Sequence, residues 1–350
     1  MDNILLQSVI DITRQRDGEA LDLSLLTTLA DFVPVNEISF IKIIKENITD
    51  KVKEILRLTA PTDNPDGKNY SLDNDEKVII ANSQIIECIQ TASVIKEVQD
   101  GLVYLYLPVL IDNKVAGVLK IESYEDLSQW LPSIEGIVHI YCNYLALFNE
   151  SERDKLTGLL NRKTFDHKLD KLLEKQRKQQ EKYLESNQYA ENRHAFTRSH
   201  AWLAMLDIDH FKRINDTFGH LFGDEVILLI SQKMKQFFRS SDLLFRFGGE
   251  EFIIILEPVP DEMAKRTFDR FRKTIADHAF PQVGPTTVSI GYAMITNNDF
   301  PHVILERADK ALYYAKEHGR NCVYNFEELL ESGEAKVKGK AGATIFFDEK

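Results

Sequence analysis

The 350-residue chain has only three cysteines, Cys88, Cys142 and Cys322, far apart in sequence. Without paired spacing they suggest neither a disulfide framework nor a zinc site, and they suit a reducing compartment. There is no excess of positive charge: 43 Lys and Arg stand against 55 Asp and Glu, a formal net charge of -12. A general nucleic-acid or membrane-surface binder needs a basic face, so neither partner is expected. A small anionic substrate held at a local site is still compatible. No apolar run approaches the roughly 20 residues of a spanning helix. The start, MDNILLQSVIDITRQRD, is amphipathic and unlike a signal peptide. The expectation is a cytoplasmic protein with no direct membrane anchor. A content of 43% hydrophobic and 28% charged residues is that of a globular chain, and the length has room for two domains with their own cores.

The first 130 residues alternate helix-like and strand-like patterns. EALDLSLLTTLADFV has helical spacing and is followed by Pro34, while NEISFIKII and KVKEILRLTA are strand-like. PTDNPDGKNYSLDND is rich in turn residues, and ANSQIIECIQTASVIKEV reads as a helix. LVYLYLPVLIDNKVAGVLKIES reads as two strands joined around Asp112 and Asn113. A helix follows with apolar residues at Ile134, Val138, Tyr141, Leu145 and Phe148. These steps of four and three fit either a short dimerising coiled coil between two domains or one amphipathic helix packed on its own domain. The charged stretch at residues 171–200 reads as an exposed helix and a loop. After Glu327 no clear pattern is found, although ATIFF could form an edge strand.

Chemistry concentrates in two places. RFGGEEFIIIL puts Glu250 and Glu251 beside Gly248 and Gly249 between apolar strands. The glycines suit a hairpin turn needing positive φ. The glutamates repel each other and resist burial unless something cationic compensates. AMLDIDHFKRIND ends an apolar run in Asp207, Ile208 and Asp209. Carboxylates from two neighbouring strands suit magnesium, which takes oxygen ligands and shares them with substrate phosphates. Two such ions can activate an attacking hydroxyl and stabilise a leaving pyrophosphate.

DKLTGLLNR, DIDHFKRINDTFGHLFGDEVI, RFGGEEF, VSIGYA and ADKALYYAKEHGRN occur in the order found in the GGDEF family of diguanylate cyclases, which residues 154–327 resemble. The closing hairpin of residues 1–130 resembles the GAF family, with a PAS-like domain as the other reading. The fold class implied is α+β and α/β. A GAF-like sensor (residues 1–130) is joined by a helical linker (131–153) to a palm-like catalytic domain (154–327) and a tail (328–350).

The resemblance implies condensation of two GTP into cyclic di-GMP with Mg2+ or Mn2+, in a homodimer whose half-sites face each other. It makes Asp207, Glu250 and the Ile208 carbonyl metal ligands, and Glu251 a base or second-ion ligand. Asn215 and Asp224 would read guanine. An aspartate accepts from guanine N1–H and N2–H2, a donor pair adenine lacks, so GTP is expected over ATP. Phe211 and Lys212 would cradle phosphates through backbone N–H groups, and Lys316 and Arg320 through side chains. Asp209 would be a second metal or orienting residue. RSSD, with Arg239 and Asp242, matches the family's inhibitory product site, with Arg270 as a second contributor. The N-terminal domain would take an unknown small-molecule ligand, since no haem or cysteine motif marks it. Two other readings are a catalytically silent cyclic di-GMP receptor and a template polymerase. The intact acids disfavour the first, and the lack of a basic surface disfavours the second.

Overall fold

The computed structural model describes residues 9–15, 17–43, 51–61, 70–111, 113–185, 199–296 and 299–335. It divides into two units, Met1–Ser151 and Glu152–Lys350.

The first unit contains α1 (Gly18–Phe32), β1 (Glu37–Ile43), β2 (Lys51–Thr59), β3 (Ser71–Asp73), β4 (Lys77–Ile80), α2 (Ser83–Thr91), β5 (Ile95–Gln99), β6 (Leu102–Ile111), β7 (Lys114–Ser123) and α3 (Leu131–Ser151). The strands form an antiparallel sheet in the order β3-β2-β1-β7-β6-β5, with β4 also on β2. Successive side chains leave a strand on opposite faces. Ile38 and Phe40 therefore join the core under α1 and α3, and Ile41 joins a second cluster with Ile85 and Cys88 of α2. The Asp17 carboxylate caps α1 by accepting from Ala20 N at 3.1 Å.

One open alternative is decided here and two expectations are corrected. Ile134, Val138, Tyr141 and Leu145 are buried in the core of the first unit, and Phe148 is half-buried. The apolar steps of α3 are spent on its own domain, the second of the two readings of that helix, and the compact unit that contains it ends at Ser151. Ile95–Gln99 is a strand, because the helix of ANSQIIECIQTASVIKEV stops at Ala92 in the left-handed region, φ 51°. Ser71–Asp73 and Lys77–Ile80 are short edge strands, mostly exposed, within or just beyond a stretch read as loop. The hairpin around Asn113 is present, with Asn113 at φ 62°. Residue 112 is outside the described residues.

The second unit contains β8 (Leu160–Asn161), α4 (Arg162–Glu185), β9 (His200–Ile208), α5 (Phe211–Phe218), α6 (His220–Phe237), β10 (Leu243–Gly248), β11 (Glu251–Val259), α7 (Asp261–Ala276), β12 (Ala279–Phe280), β13 (Gly284–Pro285), β14 (Val288–Ile295), α8 (Pro301–Glu317), β15 (Val323–Asn325) and α9 (Phe326–Glu331). The sheet order is β15-β14-β9-β11-β10-β8, antiparallel at the centre and parallel at both ends. Helices cover both faces, so β9 is a nearly continuous apolar run. Trp202, Ala204, Leu206 and Ile208 meet the core shared with α6 and α7. Ala201, Leu203 and Met205 meet the core shared with α4 and α8. Asp207 continues this second row and faces the α8 side.

Gly291 explains how closely α8 lies on the sheet. A Cβ there would sit 1.9 Å from Leu312 N and 2.4 Å from Ala308 O. With Ala308, Ala311 and Ala315 fully buried, this contact draws α8 down onto β14 and carries Lys316 to the strand ends. The segment after β15 forms α9 rather than unpatterned tail. Residues 186–198 and ATIFF lie outside the described residues.

Candidate active site

Asp207 ends β9 at 5% exposure. Its register partners are Glu251 on β11 and Ser289 on β14. The Lys316 ammonium lies 2.8 Å from Asp207 Oδ2. Burial pushes the Asp207 carboxyl up to about 6; Lys316 opposes that shift, and the charges of Glu250 and Glu251 add to it. Glu251 is also raised, first by burial, with Lys316 lowering it and Asp309 and Glu250 raising it further. Asp207, Glu250 and Glu251 therefore share one region at the end of the central hairpin, with Asp309 near enough to add to their repulsion and Lys316 and Arg162 partly compensating it.

The hairpin is built differently from expectation. Gly248 pairs with Glu251, and Gly249 and Glu250 form the turn. Neither glycine takes a positive φ. Gly248 is small because a Cβ would stand 3.1 Å from Glu251 Oε2, whereas the space at Gly249 is open. The turn is held by Arg246, whose Nε and Nη2 donate to Gly249 O at 3.2 and 3.0 Å. Arg246 Nη1 also donates to Asp154 Oδ1 at 3.2 Å. Asp154 in turn accepts from Thr157 N and Oγ1 at 2.8 and 2.7 Å. Sequence reasoning gave neither Asp154 nor Arg246 a role. Both lie in the quoted motifs, but their contact spans 92 positions and only folding reveals it.

α5 starts directly after His210, which is in the left-handed region at φ 57°. Phe211 is buried beneath its first turn and Lys212 is exposed. Asn215, in the second turn, has a buried Oδ1 with no hydrogen-bond partner among the described residues. A Cβ at Gly223 would stand 2.0 Å from that atom, so glycine there makes the nest in which the Asn215 amide lies. Asp224 is the next residue on α6, exposed beside this nest. Arg320 follows Gly319, which closes α8 at φ 102°, and is itself exposed at φ 56°.

Lys316 was expected to contact phosphate; in this structure it is paired with Asp207. Asp209 was expected as a second metal or orienting residue. It accepts from Thr287 Oγ1 and Ser289 Oγ, both at 2.6 Å, and from Asn321 N at 3.0 Å, contacts that suit the orienting role. Its carboxylate is directed at β14 and the loop after α8, which argues against a metal ligand.

Among the described residues no three acidic, histidine or cysteine side chains have a metal-holding geometry by themselves. The donor set nevertheless fits a hard divalent cation completed by waters and phosphates. All its donors are oxygen, from Asp207, Glu250, Glu251 and the Ile208 carbonyl, and the acid cluster already draws a cationic side chain onto Asp207.

At the other end of α6, Arg239 is exposed and its guanidinium has no partner among the described residues. Asp242 accepts from Arg239 N at 2.9 Å and from Glu257 N at 3.3 Å. It thus fastens this turn to β11. The Arg270 guanidinium lies 4.9 Å over the Phe237 ring. Phe237 and Phe238 both pack on Phe271, so Arg270 covers an aromatic cluster that Arg239 follows directly in the chain.

Residues 151–322 match the family model described as diguanylate cyclase, GGDEF domain. This half of the chain is a GGDEF domain. Diguanylate cyclase DgcP of Pseudomonas aeruginosa PAO1 is 43% identical over 122 residues, 34% of this chain and 18% of that protein. Diguanylate cyclase DgcM of Escherichia coli K12 is 33% identical over 177 residues, 51% of this chain and 39% of that protein. The chain thus spans well under half of each. Among solved structures, the GGDEF domain of DgcB from Caulobacter crescentus in complex with c-di-GMP is 32% identical, with a TM-score of 0.42. That match covers 50% of this chain and 96% of the other. GGDEF diguanylate cyclases use divalent metal ions. Among the described residues no helix is long and apolar enough to cross a membrane.

Proposed function

We propose that the protein is a diguanylate cyclase that condenses two GTP into cyclic di-GMP and two pyrophosphates. The observation that carries this reading is the buried Asp207 paired in register with Glu251, with a cation drawn onto them at the tip of a glycine hairpin. A fold gains no stability from gathering three acids there, whereas a reaction between anionic phosphates does require such a site.

Each chain binds one GTP. Asn215 Oδ1, unpaired among the described residues, accepts from a guanine N–H, and Asp224 beside it accepts from the same edge. Backbone N–H groups of Phe211 and Lys212 at the start of α5, together with Lys316 and Arg320, hold the phosphates. Asp207, Glu250, Glu251 and the Ile208 carbonyl hold Mg2+ or Mn2+, which when bound supplies Lewis acidity at the phosphates and the attacking hydroxyl. Glu251 takes the proton as the 3′-oxygen of one nucleotide bonds to the α-phosphorus of the other. The bond from that phosphorus to pyrophosphate breaks, and a second such step closes the ring. Two half-sites must meet, so the working unit is a homodimer. Its contact uses surface other than the α3 residues buried in the first unit.

The first unit is a GAF-like sensor for a small molecule. An antiparallel sheet with its first and last helices on one face supports that reading. Product binds Arg239 and Arg270 and slows synthesis. Arg239→Ala is expected to keep turnover and lose product inhibition in progress curves; unchanged cyclic di-GMP affinity by calorimetry would place the inhibitor elsewhere.

The test of the main reading is incubation of pure protein with GTP or ATP and Mg2+, with products separated by chromatography and weighed by mass spectrometry. Cyclic di-GMP from GTP and little product from ATP is expected. No product, with tight cyclic di-GMP binding, would favour the silent receptor.

A further inference from the structure

Asp209 holds three hydrogen-bond donors at 5% exposure, and none of them is cationic. Its own N–H donates to Thr287 O at 2.9 Å. The end of β9 is therefore tied to the start of β14 through both main chain and side chain. The third donor is the backbone N–H of Asn321, 112 positions away. Asn321 belongs to a run of three residues with positive φ: Gly319 at 102°, Arg320 at 56° and Asn321 at 46°. Two of these are not glycine, and such a backbone persists only where its surroundings hold it. Three contacts do so here. Arg320 N donates to Ala315 O at 3.1 Å, Arg272 Nη1 donates to Asn321 Oδ1 at 2.7 Å, and Asp209 accepts from Asn321 N. Arg272 is itself fixed by Asp269 at 2.8 Å.

We propose that Asp209 is a positioning residue that locks the Gly319–Arg320–Asn321 turn and thereby aims Arg320 at the substrate triphosphate, and that it is not a metal ligand. The proposal rests on the GTP reading above. Asp207 and Asp209 both lie at the end of β9, but their side chains have different tasks. Asp207 faces the hairpin and Lys316; Asp209 faces the loop. The anchor needs acceptor oxygens in place, not a negative charge. An asparagine can direct its oxygen at Thr287 and Asn321 and its NH2 at Ser289, whose hydroxyl can turn to accept. A metal ligand would not tolerate that change.

The experiment is calorimetric titration of the full-length protein with a non-reacting GTP analogue bridged by methylene between the α- and β-phosphorus, in Mg2+. Asp209→Ala is expected to weaken binding about tenfold or more, the loss of a charged hydrogen-bond anchor. Asp209→Asn is expected to bind within about threefold of wild type. The Arg320→Ala change is expected to weaken binding by a similar factor, and the double variant Asp209→Ala with Arg320→Ala no further, since both act through one contact. Guanosine, which lacks phosphates, should bind all four variants as it binds wild type.

Equal losses in Asp209→Asn and Asp209→Ala would overturn the proposal in favour of a charge or metal role. Multiplying losses in the double variant, or a matching loss for guanosine, would also overturn it. If Asp209→Ala fails to fold, Thr287→Val removes one donor and frees Oδ2 to follow Asn321. Its binding should stay close to wild type, and a large triphosphate-specific loss would contradict the proposal. Failure of the wild type to bind the analogue would instead defeat the GTP reading.

Discussion

Asp22 in the first unit and Asp207 in the second are both buried and both have a lysine beside them. Asp22 is 1% exposed, with Lys42 Nζ at 2.6 Å, and it also accepts from the Tyr141 hydroxyl. Burial raises its carboxyl, and Lys42 and Tyr141 oppose that shift. Tyr141 is in α3, so this cluster ties α3 to α1 and to β1. Asp207 has one lysine and two glutamates, and those glutamates add to the effect of burial. Asp22 has two donors against one acid, Glu19, whereas Asp207 has one lysine against two glutamates. A buried charge by itself thus says little about function. The balance of charge among its neighbours separates a structural tie from a cluster in which acids outnumber the one lysine, which is what the proposed cation site requires.

The sharpest way to test this contrast is to neutralise the acids of the second unit. Glu251→Gln is nearly isosteric and loses the base, so turnover should fall by at least about a hundredfold. Its unfolding midpoint should be unchanged or higher, since a repulsion is removed. Turnover within tenfold of wild type would remove Glu251 from the mechanism.

Next in size is a packing change on the same side of the sheet. Gly291→Ala puts a methyl group into the backbone of α8. It should destabilise the second unit by about 3 kcal/mol, the upper part of the overpacking range, and also lower turnover per folded molecule, since the displaced helix carries Lys316. Denaturant unfolding with parallel activity assays checks this. An unaffected midpoint would mean that α8 does not depend on that close approach.

Asp22→Ala is the mirror experiment. It leaves the Tyr141 hydroxyl buried without its partner, while Lys42, with a side chain 43% exposed, can turn to water. A loss of about 2 kcal/mol in the first unit is expected, with turnover per folded molecule unchanged when measured on unstimulated protein. A loss of turnover comparable to that of Glu251→Gln would break the comparison.

The smallest effect is in pH. The Asp22 carboxyl is raised in the folded state, so the folded form holds its proton more tightly than the unfolded chain does. Its contribution is full below the unfolded value near 3.8 and falls as pH rises through the folded value. The stability gap between wild type and Asp22→Ala should therefore narrow as pH rises above 3.8. A gap that widens with pH would mean that the Lys42 pairing outweighs burial.

Much of this was legible before folding. The row of Trp202, Ala204, Leu206 and Ile208 against Ala201, Leu203 and Met205 reads as a strand buried on both faces. The acids at its end gain weight because a second pair, Glu250 and Glu251, lies on a neighbouring apolar hairpin. Contacts that depend on distant partners were not legible. The apolar steps of α3 fit a dimer seam and a domain face equally, and only the sheet beneath the helix decides between them. Ser71–Asp73 and Lys77–Ile80 have no clear alternation because edge strands are exposed on both sides. Ile95 and Val98 lie three apart and fit a helix until Ala92 turns left-handed. Gly248 and Gly249 suggested a primed turn by type alone, whereas the use of Gly248 is the space it leaves beside Glu251. The Arg246–Asp154 and Asp209–Asn321 ties link motifs visible in the sequence, but their pairing was not.

The central claim is that the acid cluster around Asp207 exists to join two GTP molecules. Phosphorus NMR of the protein with GTP and Mg2+ follows that reaction directly. The account predicts GTP signals replaced by those of a phosphodiester and of pyrophosphate, with two pyrophosphates per cyclic di-GMP formed. Persistence of GTP at high protein concentration, or release of inorganic phosphate with GDP instead, would contradict it.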